Sequence, residues 1–408
     1  MQEFISLSQA QELVAGHVPR LPPKPFPLAR LAGLVAAQEL TAQVAAPSVT
    51  ASQMDGYAVR AADLAQASEQ HPVRLEVKGM VGAGEAPPAA VGPGHALRVT
   101  TGAPLPPGAD AVLPNEYTRA EPGAVLCLAS TQPGRNLLAA GADVASGQVV
   151  LRPGQRLWPG RVGLLAAAGL SEALAYPRPR VALLATGREV KAPGQPLPPG
   201  AVYASNLVSL AAWLSMHGLE HESRTADDVA DQIAAAAGEM LAGCDALLTS
   251  GGAWTSERDL VVNALRGLGL DLIFRRVRLG PGKGVSFGLL SGKPVFCLPG
   301  GPPSNEAAFL LLALPGLLRL AGHPRPGLPL VPACLGQAVQ GRVDWTQVLH
   351  GRLEPGRDLP TFQPLSYQGR LQSMARSQGL LLLPEGLRFL EAGARVMVLK
   401  LGLAFGED

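Results

Sequence analysis

The chain is poor in several things that would place a protein at once. Its four cysteines, Cys127, Cys244, Cys297 and Cys334, lie far apart in 408 residues and never form a C-x-x-C pair. Three of them sit inside apolar runs, which suits small buried hydrophobes in a reducing compartment better than zinc ligands or disulfides. The seven histidines are scattered along the chain. No apolar run is long enough to span a bilayer. The most apolar stretch, Ala307 to Leu320, is interrupted by Pro315 and reads as a buried helix. The first residues, Met1-Gln2-Glu3-Phe4-Ile5, lack the basic and apolar regions of a signal peptide, so a cytoplasmic location without membrane attachment is expected. An excess of one charge is missing too. Lys plus Arg number 34 against 32 Asp plus Glu, so no overall field favours nucleic acid or an anionic membrane. Lysine is scarce, six of the 34 basic residues, and a lysine within a Gly-rich loop therefore stands out.

What the chain does have is a change of pattern along its length, and 408 residues imply two to four domains. Leu7-Ser8 opens a first helix, and Leu28, Leu31, Leu34 and Val35 have the spacing of a second, with a proline-rich bend from Pro19 to Pro27 between them. From Pro47 to Ala140 short β-like runs such as Val73–Val77, Ala96–Val99 and Val125–Leu128 alternate with Gly and Pro. Helical spacing returns around Trp158 to Leu170. Residues 178–324 alternate strand and helix, which implies a mainly parallel sheet in three layers. In that region Val181–Leu184 is a strand, a serine cap opens a helix from Ser205 to Met216, and Asp227 caps another through Met240. The Pro324–Pro329 run is a linker, followed by strands at Val348-Leu349, Leu380–Leu383 and Ala394–Leu399. The expected division is a discontinuous helical domain (1–46 and 141–177), an inserted β-rich domain (47–140), an α/β domain (178–324) and a C-terminal β-barrel-like domain (328–408).

Three loops carry the chemistry. Ser250-Gly251-Gly252, closed by Glu257-Arg258-Asp259, follows the apolar run Ala246-Leu247-Leu248. Pro281-Gly282-Lys283-Gly284 follows Leu272-Ile273-Phe274, and Pro299-Gly300-Gly301-Pro302-Pro303-Ser304 follows Val295–Leu298. Glycine lets backbone approach an anion, and loops at strand ends of an α/β sheet are where such sites form. Structural readings stand beside the functional ones. Asp227, Asp228, Asp259 and Ser304 can each cap a helix, Asp55-Gly56 is a turn dipeptide, and Glu189 can be a solvated loop carboxylate. Lys283, between two glycines, has the weakest structural explanation.

Several further motifs occur in order. They are Ser52-Gln53-Met54-Asp55-Gly56-Tyr57-Ala58, Thr101-Gly102-Ala103-Pro104 through Asp110, Gly141-Ala142-Asp143, Thr186-Gly187-Arg188-Glu189-Val190, the three loops above, and Leu371-Gln372-Ser373-Met374. With them the chain resembles the molybdopterin molybdenumtransferases, the family that includes the gephyrin E domain. The resemblance implies an α/β molybdopterin-binding domain and the insertion of molybdenum from molybdate into adenylylated molybdopterin, with Mg²⁺-dependent hydrolysis that releases AMP. It implies a homodimer, with a molybdopterin adenylyltransferase and molybdoenzyme apoproteins as possible partners. Asp259, Asp55, Asp143 and Glu189 then match catalytic positions, and Asp259 and Asp228 match metal positions. Thr186, Gly187, Ser250, Gly251, Gly252, Pro281, Gly282, Lys283, Pro299, Gly300, Ser304 and Ser373 match positions that bind substrate.

The chain departs from the family pattern at Gly280, where a lysine is usual, and at Gly284, where proline is. Gly301 stands in place of asparagine, Trp254 in place of serine, and Gln347 in place of arginine. One or two cations are therefore expected to be missing from the molybdate subsite. An impaired paralogue that binds molybdopterin or its adenylate as scaffold, carrier or regulator remains the alternative to an active enzyme.

Overall fold

The structure, a computed structural model, describes residues 1–251, 260–365 and 369–402. It forms two compact units, Met1–Lys24 with Tyr176–Asp408, and Pro25–Ala175. The N-terminal segment therefore groups with the α/β region and not with residues 141–177. The reason is pairing and burial. Strand β1 (Gln2–Ile5) adds in parallel to the edge of the large sheet, and helix α1 (Leu7–His17) buries Leu7, Ala10 and Val14. A reciprocal cap fixes the start of α1: Gln9 N–H donates to Ser6 Oγ, and Ser6 N–H to Gln9 Oε1, both at 3.1 Å.

The sheet also contains β2 (Arg180–Thr186), β3 (Glu220–Ala226), β4 (Ala246–Ser250), β5 (Asp271–Val277), β6 (Ser286–Leu290) and β7 (Lys293–Leu298), in the order β1-β5-β6-β7-β4-β2-β3. Only the two pairings of β6 are antiparallel. Alternate residues of β2 and β4 feed opposite cores. Val181, Leu183, Ala246 and Leu248 pack with α1, α2 (Ser205–Met216), α5 (Pro302–Ala308) and α6 (Leu314–Leu320). Ala182, Leu184 and Leu247 pack with α3 (Ala230–Gly243) and α4 (Leu260–Gly267). This is the three-layer arrangement the strand–helix alternation predicts. Phe287 anchors the first core, with ring centroids 4.8 Å from Phe296 and 5.6 Å from Phe274. The stretch from Ala307 to Leu320 is nearly continuous. A π-helical turn (Phe309–Ala313) joins α5 to α6, and Pro315 falls in the first turn of α6, where its missing N–H costs nothing.

After this layer a barrel closes through strands Leu330–Leu335, Thr346–Glu354, Thr361–Pro364, Gly379–Leu383 and Arg395–Lys400. In the second unit a six-stranded sheet contains Val73–Val81, His95–Val99 and Gly56–Val59 around Tyr57, Leu75 and Val125. The helix expected from Leu28 onward is absent. Leu28–Arg30 makes a single 3-10 turn, Gly33 turns the chain at φ 84°, and Val35-Ala36 is a strand. The apolar spacing there reports burial of Leu31 and Leu34, not a helical period. The α-helix of this unit is Pro159–Ala167. Among the described residues no helix is long and apolar enough to cross a membrane.

Candidate functional site

Strands β2, β4 and β7 run parallel, so Thr186, Ser250 and Leu298 end at one edge of the sheet. From β2 the chain leaves for β3 on one side, and from β4 it leaves for β5 on the other. Ligands of open α/β sheets bind in the crevice at such a switch point. A cavity of about 590 Å³ lies here, lined by Thr186, Glu189, Asn206, Ser250, Gly251 and Gly300, with Leu197, Val202 and Tyr203 as an apolar wall. Gly251 has φ 102°, and a Cβ on it would fall 2.5 Å from the Thr186 carbonyl oxygen. Only glycine lets the ends of β2 and β4 approach so closely.

Hydrogen bonding fixes the chemistry of this cavity. Asn305 Nδ2 donates to the Pro299 carbonyl at 2.9 Å and to Ser250 Oγ at 3.0 Å. Asn206 Nδ2 donates to the Gly300 carbonyl at 2.8 Å and to Ser250 Oγ at 3.2 Å. Backbone carbonyls only accept, so both amide groups are oriented by them. Ser250 Oγ thus receives two N–H bonds, and its own proton is left to donate into the cavity. Thr186 Oγ1 is buried against the same space and has no partner among the described residues. Two hydroxyls are therefore poised for a ligand that accepts hydrogen bonds, because a buried polar group left unmatched is costly.

A second cavity of about 370 Å³ adjoins the first across the Pro299–Gly301 loop, since Gly300 lines the first and Pro299 and Gly301 line the second. Its walls carry Lys283, Ser304, Arg342 and Arg370, and no carboxylate among its lining residues. The Lys283 ammonium sits 5.5 Å from the ring centres of both Phe4 and Trp345. Those ring faces restrain it without neutralising it. Gly282, at φ 129°, packs so tightly on Leu279 that a Cβ would lie 2.6 Å from Leu279 Cδ2.

The sequence-predicted residues divide accordingly. Thr186, Glu189, Ser250, Gly251 and Gly300 share the first cavity, and Pro281, Gly282, Lys283, Pro299 and Ser304 the second. Gly187 follows Thr186 at φ 141° and donates to the Ala226 carbonyl at the end of β3. Ser373 is buried on the short helix Arg370–Ala375, whose Leu371 lines the first cavity and Arg370 the second. Asp228 is half-buried just beyond β3 and lines neither. Three expected caps are absent. Val229 precedes α3, with Asp227 in the turn before it; Ala204 precedes α2; and Gly301 precedes α5, which leaves Ser304 in its first turn. Here proline or turn geometry, not a hydroxyl or carboxylate, starts the helix. Gly252, Trp254 and Asp259 lie outside the described residues.

Asp55 and Asp143 belong to the second unit. Asp55 Oδ1 accepts from Thr101 N–H at 2.6 Å and from Thr101 Oγ1 at 2.9 Å. The Thr101 backbone N–H first, then its hydroxyl, hold the Asp55 carboxyl below the usual range. Asp143 is exposed. Among the described residues no group of three or more His, Cys, Asp or Glu is placed to hold a metal ion. Sequence reasoning missed Asn206, Asn305, Arg342 and Arg370. The Ser205-Asn206 pair opening a helix after the first strand was the one local signal available.

Comparison with known proteins adds a consistent set of likenesses. Residues 5–169 match the family model "MoeA N-terminal region (domain I and II)", and residues 182–319 match "Probable molybdopterin binding domain". The chain is 34% identical over 402 residues to "Molybdopterin molybdenumtransferase 2" of Mycobacterium tuberculosis, covering 96% of this chain and 98% of that one. It is 31% identical over 371 residues to the "Molybdopterin molybdenumtransferase" of Bacillus subtilis, covering 89% and 86%. The solved structure of the "molybdopterin biosynthesis moea protein" from Pyrococcus horikosii matches with a TM-score of 0.81 and 32% identity, over 97% of this chain and 99% of that one.

Proposed function

Because the chain belongs to the molybdopterin molybdenumtransferase family, a transferase family of molybdenum cofactor biosynthesis, we propose that it takes adenylylated molybdopterin and molybdate as substrates and releases AMP with the molybdenum-loaded pterin. The observation that carries this reading is the pair of adjoining cavities. One offers hydroxyls and an apolar wall; the other offers cations and no carboxylate. A phosphate-bearing pterin needs the first kind of surface, and a tetrahedral dianion needs the second.

In this reading Ser250 and Thr186 donate to phosphate oxygens, while Leu197, Val202 and Tyr203 exclude water from the flat ring system. Lys283 and Ser304 hold molybdate beside it. Glu189, which lines the first cavity, and Asp228 at the neighbouring strand end supply hard oxygen donors, with Asp259 as their companion. Mg²⁺ suits that donor set, because it binds through one or two carboxylates together with substrate phosphates and waters and needs no three-residue protein cage. When bound, Mg²⁺ would neutralise charge on the phosphoanhydride during its hydrolysis. The chain acts in the cytoplasm as a homodimer in this reading, receives substrate from a molybdopterin adenylyltransferase and passes product to molybdoenzyme apoproteins.

Purified protein given adenylylated molybdopterin, molybdate and Mg²⁺ should release AMP and incorporate molybdenum, each measured separately. Absence of both products sinks the proposal. Pterin binding without either product supports the second reading, a paralogue that only binds, which Gly280, Gly301 and Gln347 favour.

A further inference from the structure

Helices α2 and α5 are joined by polar contacts at two levels. On α2, Asn206 and Trp213 are seven residues apart, which puts them within about 20° of one face and about 10 Å apart along the axis. Asn206 reaches Ser250 Oγ and the Gly300 carbonyl just before α5, and Trp213 Nε1 donates to Glu306 Oε1 at 3.3 Å. On α5, Asn305 and Glu306 are neighbours, only 2% and 7% exposed. The core beside them holds Leu210 and Leu214 of α2 and Val348 and Leu380 of the barrel. Asn305 turns to Ser250, and the second Glu306 oxygen accepts from His350 Nε2 at 2.8 Å, on the barrel strand Thr346–Glu354. A carboxylate only accepts, so its two oxygens fix where the indole of α2 and the imidazole of the barrel can sit. Trp213, Glu306 and His350 line neither cavity. Any effect they have on a ligand must pass through the helices.

We propose that Glu306 is a positioning residue for the pterin cavity, acting through Asn206 and Asn305. It holds α2 and α5 at the separation where both amides reach Ser250 Oγ, which leaves the Ser250 proton to donate to the ligand. Because His350 shares the same carboxylate, the seating of the barrel enters the affinity of a cavity that the strand Thr346–Glu354 does not line. The inference rests on the reading of the first cavity as the pterin subsite. Burial gives the clamp its force: a carboxylate withdrawn from water is costly unless its oxygens are satisfied, so helix spacings that break either bond are disfavoured. A shift of α2 away from α5 would lengthen the Asn206 bond first, already 3.2 Å against 3.0 Å for Asn305.

The test reads the amides before the ligand. The chain has five asparagines, so selective ¹⁵N labelling leaves few side-chain amide signals. Asn136, which donates to the Val112 carbonyl in the other unit, is the internal reference. Trp213→Phe keeps a ring and deletes the N–H, His350→Leu deletes the other donor, and His350→Gln restores one. Val14→Ala, on α1 in the same core, is the control for lost packing. Trp213→Phe and His350→Leu should each speed exchange of the Asn206 and Asn305 amides with water, while Asn136 stays as in the parent. His350→Gln and Val14→Ala should leave all three as they were. Molybdopterin affinity, measured by calorimetry, should fall about three- to tenfold in the first two variants, as for loss of one hydrogen bond. With Ser250→Ala already present the further loss should be less than about twofold, because residues of one hydrogen-bond network do not add. A clamp that only stabilised the fold would give losses that add. Folded Trp213→Phe and His350→Leu proteins with parental Asn206 and Asn305 exchange overturn the inference, and so do affinity losses that add fully to that of Ser250→Ala. If His350→Leu does not fold, Trp213→Phe decides alone. If the amides loosen but the parent binds no molybdopterin, the positioning of Ser250 stands and the pterin reading falls. If the parent binds molybdopterin and the amides stay as they were, the reading stands and the inference falls.

Discussion

Glu306 Oε2 lies 2.8 Å from His350 Nε2, and both side chains are almost wholly withdrawn from water. Glu306 follows Asn305 on α5, and His350 stands on the barrel strand Thr346–Glu354. The other carboxylate oxygen, Oε1, accepts from Trp213 Nε1 on α2 at 3.3 Å. One carboxylate therefore ties α2, α5 and the barrel together, one residue along α5 from the Asn305 that donates to the Pro299 carbonyl.

Removing one partner should destabilise this unit more than losing a surface contact would. Glu306→Ala or His350→Ala should cost at least the roughly 1–3 kcal/mol of an orphaned buried polar group, approaching ~3–5 kcal/mol where the pair is ionic. Glu306→Gln keeps an acceptor and a similar shape and should cost less. Urea unfolding of the three variants checks the order. Midpoints for Glu306→Ala and His350→Ala equal to the parent's would show that the carboxylate braces nothing.

The amide brace around Ser250 predicts a separation of binding from stability. Ser250→Ala deletes the inward hydroxyl, while both asparagines keep their backbone carbonyl acceptors. Stability should fall by only about 1 kcal/mol, and affinity for the pterin substrate should fall about fivefold or more. Asn305→Asp instead sets a carboxylate oxygen against the Pro299 carbonyl and should damage both. Calorimetric binding with parallel thermal melts would separate the two variants, and a Ser250→Ala protein that binds pterin as the parent does removes the hydroxyl from the site.

Asp55 predicts a pH effect of known sign. Its folded-state carboxyl is depressed, chiefly by Thr101 N–H and then by the Thr101 hydroxyl. The stability this adds is present above the ordinary aspartate range and is lost as pH falls through the depressed value. Thr101→Val should move the Asp55 titration upward by removing the hydroxyl, with the backbone bond retained. An NMR titration of Asp55 that does not move would assign the whole depression to the backbone.

The parts of the molecule legible from sequence are those where local pattern and burial coincide. Ala246-Leu247-Leu248 is a strand whose alternate residues enter two cores, and the Gly251 position is one only glycine fills. Leu28 to Val35 misled because a glycine turn can bury leucines at helical spacing as well as a helix can. Asn305 carries no motif of its own, and beyond the Ser205-Asn206 pair at a helix start neither does Asn206; their role appears only once α2 and α5 converge on Ser250. Gly280 alone suggests a lost cation, because nothing local announces that the turn before the barrel strand Thr346–Glu354 and the short helix Arg370–Ala375 return two arginines to the same wall.

The carboxylates of the proposed metal site should differ in weight. Asp259→Asn keeps size and removes charge, so AMP release should fall by orders of magnitude in a folded protein, as for loss of a metal ligand. Asp228→Asn and Glu189→Gln should each cost less, because substrate phosphates and waters complete the shell of Mg²⁺. Raising Mg²⁺ should partly restore the weaker two variants and leave Asp259→Asn low. Unchanged AMP release by Asp259→Asn would take that residue out of the mechanism.

Lys283 and Trp345 give the last test, since they separate a charge from what restrains it. Lys283→Ala removes the ammonium that completes the cationic wall and should abolish molybdenum incorporation. Trp345→Leu leaves the charge but removes one of the two ring faces 5.5 Å from it. An exposed cation–π contact is worth about 0.5–1 kcal/mol, so molybdate affinity should fall only about two- to fivefold. Phe4 still faces the ammonium in that variant, which is why the loss stays partial. Incorporation by Lys283→Ala at the parent's rate would mean that molybdate binds elsewhere.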